Sequence, residues 1–153
     1  MPTDTSIQEI NEIMSASWKA FHVYRKLSLK QRAGFMRAIA KELESAGDEL
    51  IQTAMQETNL PEARLRGERG RTIYQLESYA DACERGDWLE ARIDHANPGK
   101  TPPKPDIRKM LVPIGPVVVF GASNFPFAYS TAGGDTATAF AAGCPVIVKA
   151  HPA

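Results

Sequence analysis

The last 44 residues of this 153-residue sequence contain only two charged side chains, Asp135 and Lys149. Residues 1–96, in contrast, contain 13 Lys and Arg residues and 16 Asp and Glu residues. Because the surface of a folded domain normally carries charge throughout, the uncharged stretch is expected to be buried on most sides. The charged half of so short a chain covers only part of it, which predicts that further polypeptide completes the domain.

The pattern inside the uncharged stretch indicates a strand, a helix and a second strand. Apolar runs at Pro116–Phe120 and Pro145–Lys149 predict strands that are buried on both faces. Between them, GASNFP predicts a turn and FPFAYSTAGGDTATAFAAG a helix of about five turns ending at Gly143. Gly133 and Gly134 fall inside this helix, and close packing is expected to offset their unfavourable helix propensity. The two strands of such a βαβ unit are parallel with a right-handed crossover, so the sequence predicts an α/β fold.

The order of these elements also predicts where a ligand binds. In open α/β sheets, ligands bind beyond the carboxyl ends of the strands. Residues 121–126 follow the first strand and residues 149–152 complete and follow the second, so we expect the two segments to lie side by side. In the segment GASNFP after the first strand, Gly121 is the only glycine, so the dinucleotide fingerprint G-x-G-x-x-G is absent. A cofactor must therefore be held in another way.

The charged half of the sequence predicts four helices, each with apolar residues at helical spacing. The first begins at Ser6, which forms the pattern of a capping box with Glu9, and the second begins at Ser28. A third, short helix is capped by Asp48, and a fourth follows Pro61, a residue suited to a first helical turn.

A proline-rich connection separates these helices from the βαβ unit. Arg92–Ala96 and Ile107–Leu111 are short runs of mixed polarity, and NPGKTPPKP between them excludes helix and central strand. We predict a projecting β-hairpin that pairs with another part of the chain or with another subunit, because isolated hairpins are marginally stable. The predicted organisation is a helical part at 1–88, a hairpin at 89–112 and a βαβ unit at 113–153.

A cluster of basic residues in the fourth helix allows two interpretations. A cluster of this density is compatible with a patch that binds phosphate groups. We favour a solvent-exposed helix face on which the arginines form ion pairs with Glu62 and Glu68. The four arginines lie within eight residues and are Arg64, Arg66, Arg69 and Arg71.

Charge and hydropathy exclude several classes of protein. The formal net charge is zero, which gives no broad electrostatic attraction to nucleic acid or to anionic lipid. Residues 111–134 form an uncharged run of 24 residues, long enough to cross a bilayer, but its prolines and polar side chains disfavour a spanning helix. The N-terminus lacks the basic start and apolar run of a signal peptide, so a cytoplasmic location is expected.

Cysteine and histidine usage indicates neither a disulfide framework nor a metal site. The only cysteines, Cys83 and Cys144, favour a reducing compartment and are expected to be small buried hydrophobic residues. His22, His95 and His151 are scattered, with no spacing typical of metal ligands.

Two long segments resemble the aldehyde dehydrogenase superfamily. These are GPVVVFGASNFPFAYSTAGGDTATAFAAGCPVIVKAHPA and ETNLPEARLRGERGRTIYQLESYA, and the resemblance extends from about Ser6 to Ala153. Within the superfamily, the sequence is most similar to the branch of α-ketoglutarate semialdehyde (2,5-dioxovalerate) dehydrogenases and NADP-preferring fatty aldehyde dehydrogenases. The resemblance implies N-terminal helices, a hairpin that serves as an oligomerisation arm, and the first, incomplete part of a Rossmann-like NAD(P)-binding sheet.

The resemblance also implies an activity. Members of the family oxidise an aldehyde to the carboxylic acid with NADP or NAD, here with α-ketoglutarate semialdehyde as the expected substrate. They are homodimers or homotetramers, and no nucleic acid or membrane partner is expected. The nucleophilic cysteine and the glutamate that activates water lie further along the chain in the family, so these 153 residues alone are expected to be inactive. The alternative is a non-catalytic fragment that binds a partner subunit, or binds a nucleotide weakly.

Two residues at the expected ligand edge match functional positions of the family. Asn124 matches the asparagine whose side-chain amide stabilises the oxyanion of the reacting aldehyde, a role suited to a neutral donor. Its alternative role is that of a helix N-cap before Phe125. Lys149 matches the lysine that contacts the adenosine ribose hydroxyls or a 2′-phosphate, and its alternative is an ordinary strand-end lysine in solvent.

The same resemblance implies which residues line the cofactor channel, and it argues against a strict specificity for NAD. Many NAD-preferring relatives have a glutamate three residues after the lysine, whereas this sequence has Pro152. The missing carboxylate removes repulsion toward a 2′-phosphate, so NADP should be tolerated. The residues expected to line the cofactor channel are Gly121, Ala122, Ser123 and Phe125.

Overall fold

The computed structural model describes residues 4–151, and its first half contains four helices. Ser6 and Ser28 each cap a helix by a complete capping box, which confirms both predicted starts. The third helix begins at Gly47 without a side-chain cap, so the prediction that Asp48 caps it is wrong. Pro61 is the N-cap of the fourth helix and lies one residue before its first turn. The helices are α1 (Ile7–Tyr24), α2 (Leu29–Ser45), α3 (Gly47–Thr58) and α4 (Glu62–Arg85).

A short antiparallel hairpin follows the helices, as predicted. Strand β1 (Arg92–Asp94) pairs with β2 (Ile107–Lys109), with Ile93 opposite Arg108. Each strand is three residues long, shorter than predicted, and every residue in both strands is exposed. Beyond the strands, the pairing continues in one isolated bridge between Asn97 and Lys104.

The uncharged stretch contains two parallel strands, β3 (Val117–Phe120) and β4 (Val146–Lys149). Their parallel pairing, with Phe120 opposite Lys149, confirms the predicted βαβ unit. The prediction that both strand faces are buried is wrong for the described chain. Val119 is 4% exposed, whereas Phe120 on the other face is 71% exposed, and β4 has three half-buried residues followed by the exposed Lys149.

The helix between the strands is much shorter than predicted. Helix α5 spans Gly134–Ala142, nine residues, and Gly143 ends it with a φ of 92°. Residues 123–133 form consecutive turns and bends, and the chain folds back so closely that a Cβ atom on Gly133 would lie 2.3 Å from the carbonyl oxygen of Ala128. Gly133 is therefore the N-cap of α5 and Gly134 its first residue, so neither lies in the helix interior.

Two apolar clusters hold these elements together. The larger joins α2, α4 and α5, and the buried Cys83 belongs to it, as predicted. The smaller joins Ile51 of α3, Leu65 of α4 and Phe127 of the turn region, so the segment before α5 is anchored to the helices. Among the helices of residues 4–151, none combines the length and the apolar character that crossing a membrane requires.

Candidate functional site

The carboxyl ends of β3 and β4 meet at one edge of the sheet, as the topology predicts. The main-chain amide of Gly121, the residue after β3, donates a hydrogen bond of 2.9 Å to the carbonyl oxygen of Lys149. A Cβ atom on Gly121 would lie 3.4 Å from the main-chain nitrogen of His151. The segments after the two strands are therefore adjacent, which confirms their predicted juxtaposition.

Residues 122–130, called the Asn124 loop below, follow β3 and form a loop that is held together by its own hydrogen bonds. The amide of Ala122 donates a 2.9 Å hydrogen bond to the carbonyl oxygen of Tyr129, and the amide of Tyr129 donates one of 3.2 Å to Phe125. The rings of Phe125 and Tyr129 pack edge to face with centroids 5.3 Å apart. These contacts place Ser123 and Asn124 at an exposed turn.

Two arginines of α4 contact the Asn124 loop from one side. The guanidinium of Arg64 donates a short hydrogen bond to the main-chain carbonyl of Asn124 and lies 4.9 Å from the ring centroid of Phe125. The guanidinium of Arg71 donates a 3.3 Å hydrogen bond to the hydroxyl of Tyr129 and lies 5.7 Å from its ring centroid.

A buried carboxylate lies between these two arginines on α4. Glu68 is 6% exposed, and its Oε1 accepts hydrogen bonds of 2.9 Å from the main-chain amides of both Phe127 and Ala128. Amides bonded to a carboxylate form stronger hydrogen bonds than amides bonded to neutral acceptors. These amides belong to turns without regular secondary structure, so Glu68 provides the acceptor that a helix would have provided.

The predicted pairing of the α4 charges is correct for one arginine only. Arg66 forms ion pairs of 2.7 Å with both Glu62 and Asp48. The predicted pairing of Glu68 with an arginine is wrong, because its carboxylate accepts main-chain amides. The spacing of positions 64, 68 and 71 is the signal that was missed, since residues four and three apart share one helix face.

Asn124 and Lys149 both present exposed side chains at this edge. The alternative role of Asn124 as a helix N-cap is wrong, because the next helix begins only at Gly134. Lys149 is the last residue of β4, and within residues 4–151 no carboxylate forms an ion pair with it. Of the other residues expected at the site, Ser123 is exposed and the remaining three, Gly121, Ala122 and Phe125, are half-buried.

Neither cysteine of the chain lies at this edge. Cys144 is 3% exposed and precedes β4, so it lies at the opposite, amino-terminal end of that strand. Cys83 is fully buried, its thiol lies 3.5 Å from the carbonyl oxygen of Ala141, and burial raises the pKa of this thiol. Both cysteines therefore lack the exposure of a nucleophile, and the raised pKa of Cys83 is the opposite of what a nucleophile needs.

Comparison with known proteins agrees with this architecture. The family model described as "Aldehyde dehydrogenase family" matches residues 2–153. Alpha-ketoglutaric semialdehyde dehydrogenase 2 of Azospirillum brasilense is 58% identical over 135 residues, which cover 88% of this chain and 26% of that protein. Alpha-ketoglutaric semialdehyde dehydrogenase of Acinetobacter baylyi is 47% identical over 150 residues, covering 97% of this chain and 28% of that protein.

A solved structure shows the same fold. The NAD-dependent benzaldehyde dehydrogenase of Corynebacterium glutamicum superposes with a TM-score of 0.77 at 22% identity, covering 97% of this chain and 30% of that one. The chain spans only about a quarter of the length of the two semialdehyde dehydrogenases, with coverages of 26% and 28%. The match of the family model over nearly the whole sequence shows that the chain belongs to the aldehyde dehydrogenase family.

Proposed function

We propose that this chain is the N-terminal portion of an NAD(P)-dependent aldehyde dehydrogenase that oxidises α-ketoglutarate semialdehyde to the dicarboxylic acid. The observation that carries the proposal is the placement of two exposed polar side chains, Asn124 and Lys149, on adjacent segments at the carboxyl edge of a parallel β-sheet. The choice of substrate is supported by the names of the two semialdehyde dehydrogenases to which the sequence is similar.

The residues at this edge fit a nicotinamide dinucleotide. Gly121 adds no side chain where the main chains of the two segments approach, so their main-chain groups lie close together at the edge where a cofactor would bind. Lys149 offers an exposed ammonium group for the adenosine ribose or a 2′-phosphate, and residues 111–134 contain no carboxylate that would repel phosphate groups. When bound, the cofactor would accept the hydride that the oxidation of the aldehyde releases.

Asn124 would act on the aldehyde oxygen. Its side-chain amide would donate a hydrogen bond to this oxygen as negative charge develops on it, and a neutral amide does so without titrating. The exposed position of Asn124 leaves the amide accessible, while Arg64 fixes the main-chain carbonyl of the same residue. The nucleophilic cysteine and the glutamate that activates water would come from the part of the enzyme outside these 153 residues.

We also infer that NADP is an effective cofactor of this enzyme. The inference rests on Pro152, which lies outside the described residues and occupies the position of a glutamate in many NAD-preferring relatives. Because a carboxylate there would repel a 2′-phosphate, Pro152→Glu should lower kcat/KM for NADP by about tenfold or more and leave that for NAD less affected. Equal effects on both cofactors would contradict this inference.

We further propose a cytoplasmic homodimer or homotetramer in which residues 89–112 form the oligomerisation arm. The support is the exposure of apolar side chains on both strands of the hairpin, since Ile93 is 59% and Ile107 51% exposed. Burial of these side chains against a second subunit would remove apolar surface from water. Ile93→Asp should therefore shift the full-length protein toward smaller species in light scattering, whereas unchanged mass would contradict the proposal.

The activity is tested on the purified product of the complete gene. Its mass is measured first, because a product no larger than the 153-residue chain would contradict the proposed enzyme. Cofactor reduction is then followed with α-ketoglutarate semialdehyde, with NAD and with NADP, and with succinate semialdehyde as the shorter comparison. We expect the highest kcat/KM with α-ketoglutarate semialdehyde, and no turnover of either aldehyde would contradict the proposal.

A further inference from the structure

We propose that one face of α4, formed by Arg64, Glu68 and Arg71, positions the Asn124 loop for catalysis, with Glu68 as the main positioning residue. We call these three residues the α4 clamp. The proposal rests on the proposed role of Asn124, and its experiment separates a failure of the clamp from a failure of that role.

The three residues of the α4 clamp contact successive positions of the Asn124 loop, in the same order along the helix and along the loop. Positions 64, 68 and 71 are four and three residues apart, so they lie on one face of the helix. Arg64 contacts residues 124 and 125, Glu68 contacts residues 127 and 128, and Arg71 contacts residue 129. Six consecutive loop positions, 124–129, thus include five that are held by side chains of a single rigid helix.

Glu68 is the contact whose loss would disturb the loop most. Burial of a carboxylate is unfavourable unless hydrogen bonds compensate it, and among the described residues the donors to its side chain are the amides of Phe127 and Ala128. Removal of Glu68 would leave both amides buried without an acceptor, which costs more than the loss of an exposed hydrogen bond. The loop would then rearrange to satisfy them, and Asn124 lies only three residues before Phe127.

Arg64 acts on Asn124 directly. Its hydrogen bond to the main-chain carbonyl fixes the peptide from which the side-chain amide projects, and the Phe125 ring lies under the same guanidinium. Arg64 is exposed, and an exposed contact of this kind contributes little to folding stability. An effect of Arg64 on turnover would therefore indicate positioning and not a contribution to folding.

The apolar side of the loop is anchored independently of the clamp. Phe127 is 8% exposed and packs in the cluster that contains Ile51 and Leu65. This packing fixes where the loop lies but leaves the orientation of its peptide groups open. The loop's own hydrogen bonds orient the peptides at positions 122, 125 and 129, and the clamp orients those at 124, 127 and 128. An oxyanion donor requires such orientation because a misplacement of about 1 Å lowers a rate by up to about 100-fold.

The experiment measures kcat, KM for the aldehyde and the cofactor Kd of the complete enzyme. The variants are Glu68→Ala, Glu68→Gln, Arg64→Ala, Asn124→Ala and the double variant Glu68→Ala with Asn124→Ala. Glu62→Ala is the matched control, because it removes an exposed carboxylate from the same helix. Glu68→Gln keeps an acceptor oxygen for the two amides and should restore kcat to within about threefold of the unmodified enzyme.

We expect Glu68→Ala to lower kcat by about 10- to 100-fold and Arg64→Ala by about threefold to tenfold, with KM and the cofactor Kd nearly unchanged. If Glu68 acts through Asn124, Glu68→Ala should lower kcat by no more than about twofold in the Asn124→Ala background. A full additional loss in that background would overturn the proposal, as would failure of Glu68→Gln to restore turnover.

Other outcomes separate the two levels of the inference. If Asn124→Ala alone leaves kcat unchanged, the proposed role of Asn124 is wrong. If Asn124→Ala lowers kcat but Glu68→Ala and Arg64→Ala leave it unchanged, the proposed positioning role of the α4 clamp is wrong and the role of Asn124 stands. If Glu68→Ala fails to fold, the proposal is tested by the kcat of Arg64→Ala, because Arg64 is exposed. An unchanged kcat in that variant would overturn the proposal.

Discussion

Gly121 and Lys149 are joined by a main-chain hydrogen bond of 2.9 Å, which links the first residue after β3 to the last residue of β4. The contact fixes how closely the two ligand-facing segments approach each other. A Cβ atom at position 121 would lie in van der Waals contact, between 3.4 and 3.5 Å from atoms of Lys149, His151 and Ser130.

A bulky residue at position 121 should weaken cofactor binding. Gly121→Val adds two methyl groups to a Cβ atom that would itself already be in van der Waals contact, so the segments must move apart or the methyl groups must enter the cofactor space. We expect the cofactor Kd of the full-length enzyme to rise about tenfold, equivalent to about 1.4 kcal/mol, in a fluorescence titration. Gly70→Ala, with open space around its added Cβ, is the control, and an equal Kd in both variants would contradict the assignment.

Loss of the ammonium group at the end of β4 should distinguish the two cofactors. A charge-assisted hydrogen bond is worth about 1.5–3 kcal/mol, so Lys149→Ala should raise the Kd for NADP about 10- to 100-fold. The rise for NAD should be smaller, because NAD lacks the 2′-phosphate. Lys19→Ala, which removes an exposed lysine from α1, should leave both values unchanged. Identical effects of Lys149→Ala and Lys19→Ala would remove Lys149 from the cofactor site.

The elements that sequence patterns predict best are those that local chemistry determines. The serine caps of α1 and α2 depend on residues three apart, and the parallel strands depend on short β-branched runs, so both follow from neighbouring residues. The meeting of Gly121 with Lys149 then follows from the rule that parallel strands end at the same edge of a sheet.

The parts that sequence patterns predict poorly depend on contacts between distant residues. Residues 125–133 have helix-compatible composition, yet they form turns in which Glu68, about 60 positions earlier, binds the amides of Phe127 and Ala128. Helical periodicity marks positions 64, 68 and 71 as one face but does not show what that face contacts. The contact of this face with the Asn124 loop joins residues about 60 positions apart, which local patterns do not report.

The residue that ends α5 should resist substitution. Gly143 has a φ of 92°, and a Cβ atom there would lie 2.6 Å from the guanidinium of Arg32, which is 6% exposed. Gly143→Ala should lower the free energy of unfolding by at least about 1 kcal/mol, measured by urea unfolding of the full-length enzyme. Gly67→Ala, in the interior of α4 with open space around it, should instead be neutral or stabilising. Equal stability of the two variants would contradict the geometry at Gly143.

The buried thiol of Cys83 should be unreactive in the folded enzyme. Burial raises its pKa, so the thiol is protonated near neutral pH and its alkylation, mapped by peptide mass spectrometry, should be at least about tenfold slower than in urea. Because the folded-state pKa is raised, the associated stability is present below the ordinary thiol pKa and is lost as the pH rises through the raised value. Equal labelling rates in the folded and unfolded states would show that Cys83 is exposed.

The most direct measurement of the proposed chemistry is the turnover of the complete enzyme with Asn124→Ala. Truncation of this side chain removes one hydrogen-bond donor to the developing oxyanion and leaves the main-chain contact of Arg64 in place. We predict that kcat with α-ketoglutarate semialdehyde falls about 10²- to 10³-fold, while the Kd for NADP changes by less than about twofold. A kcat equal to that of the unmodified enzyme would show that the Asn124 loop does not stabilise the oxyanion.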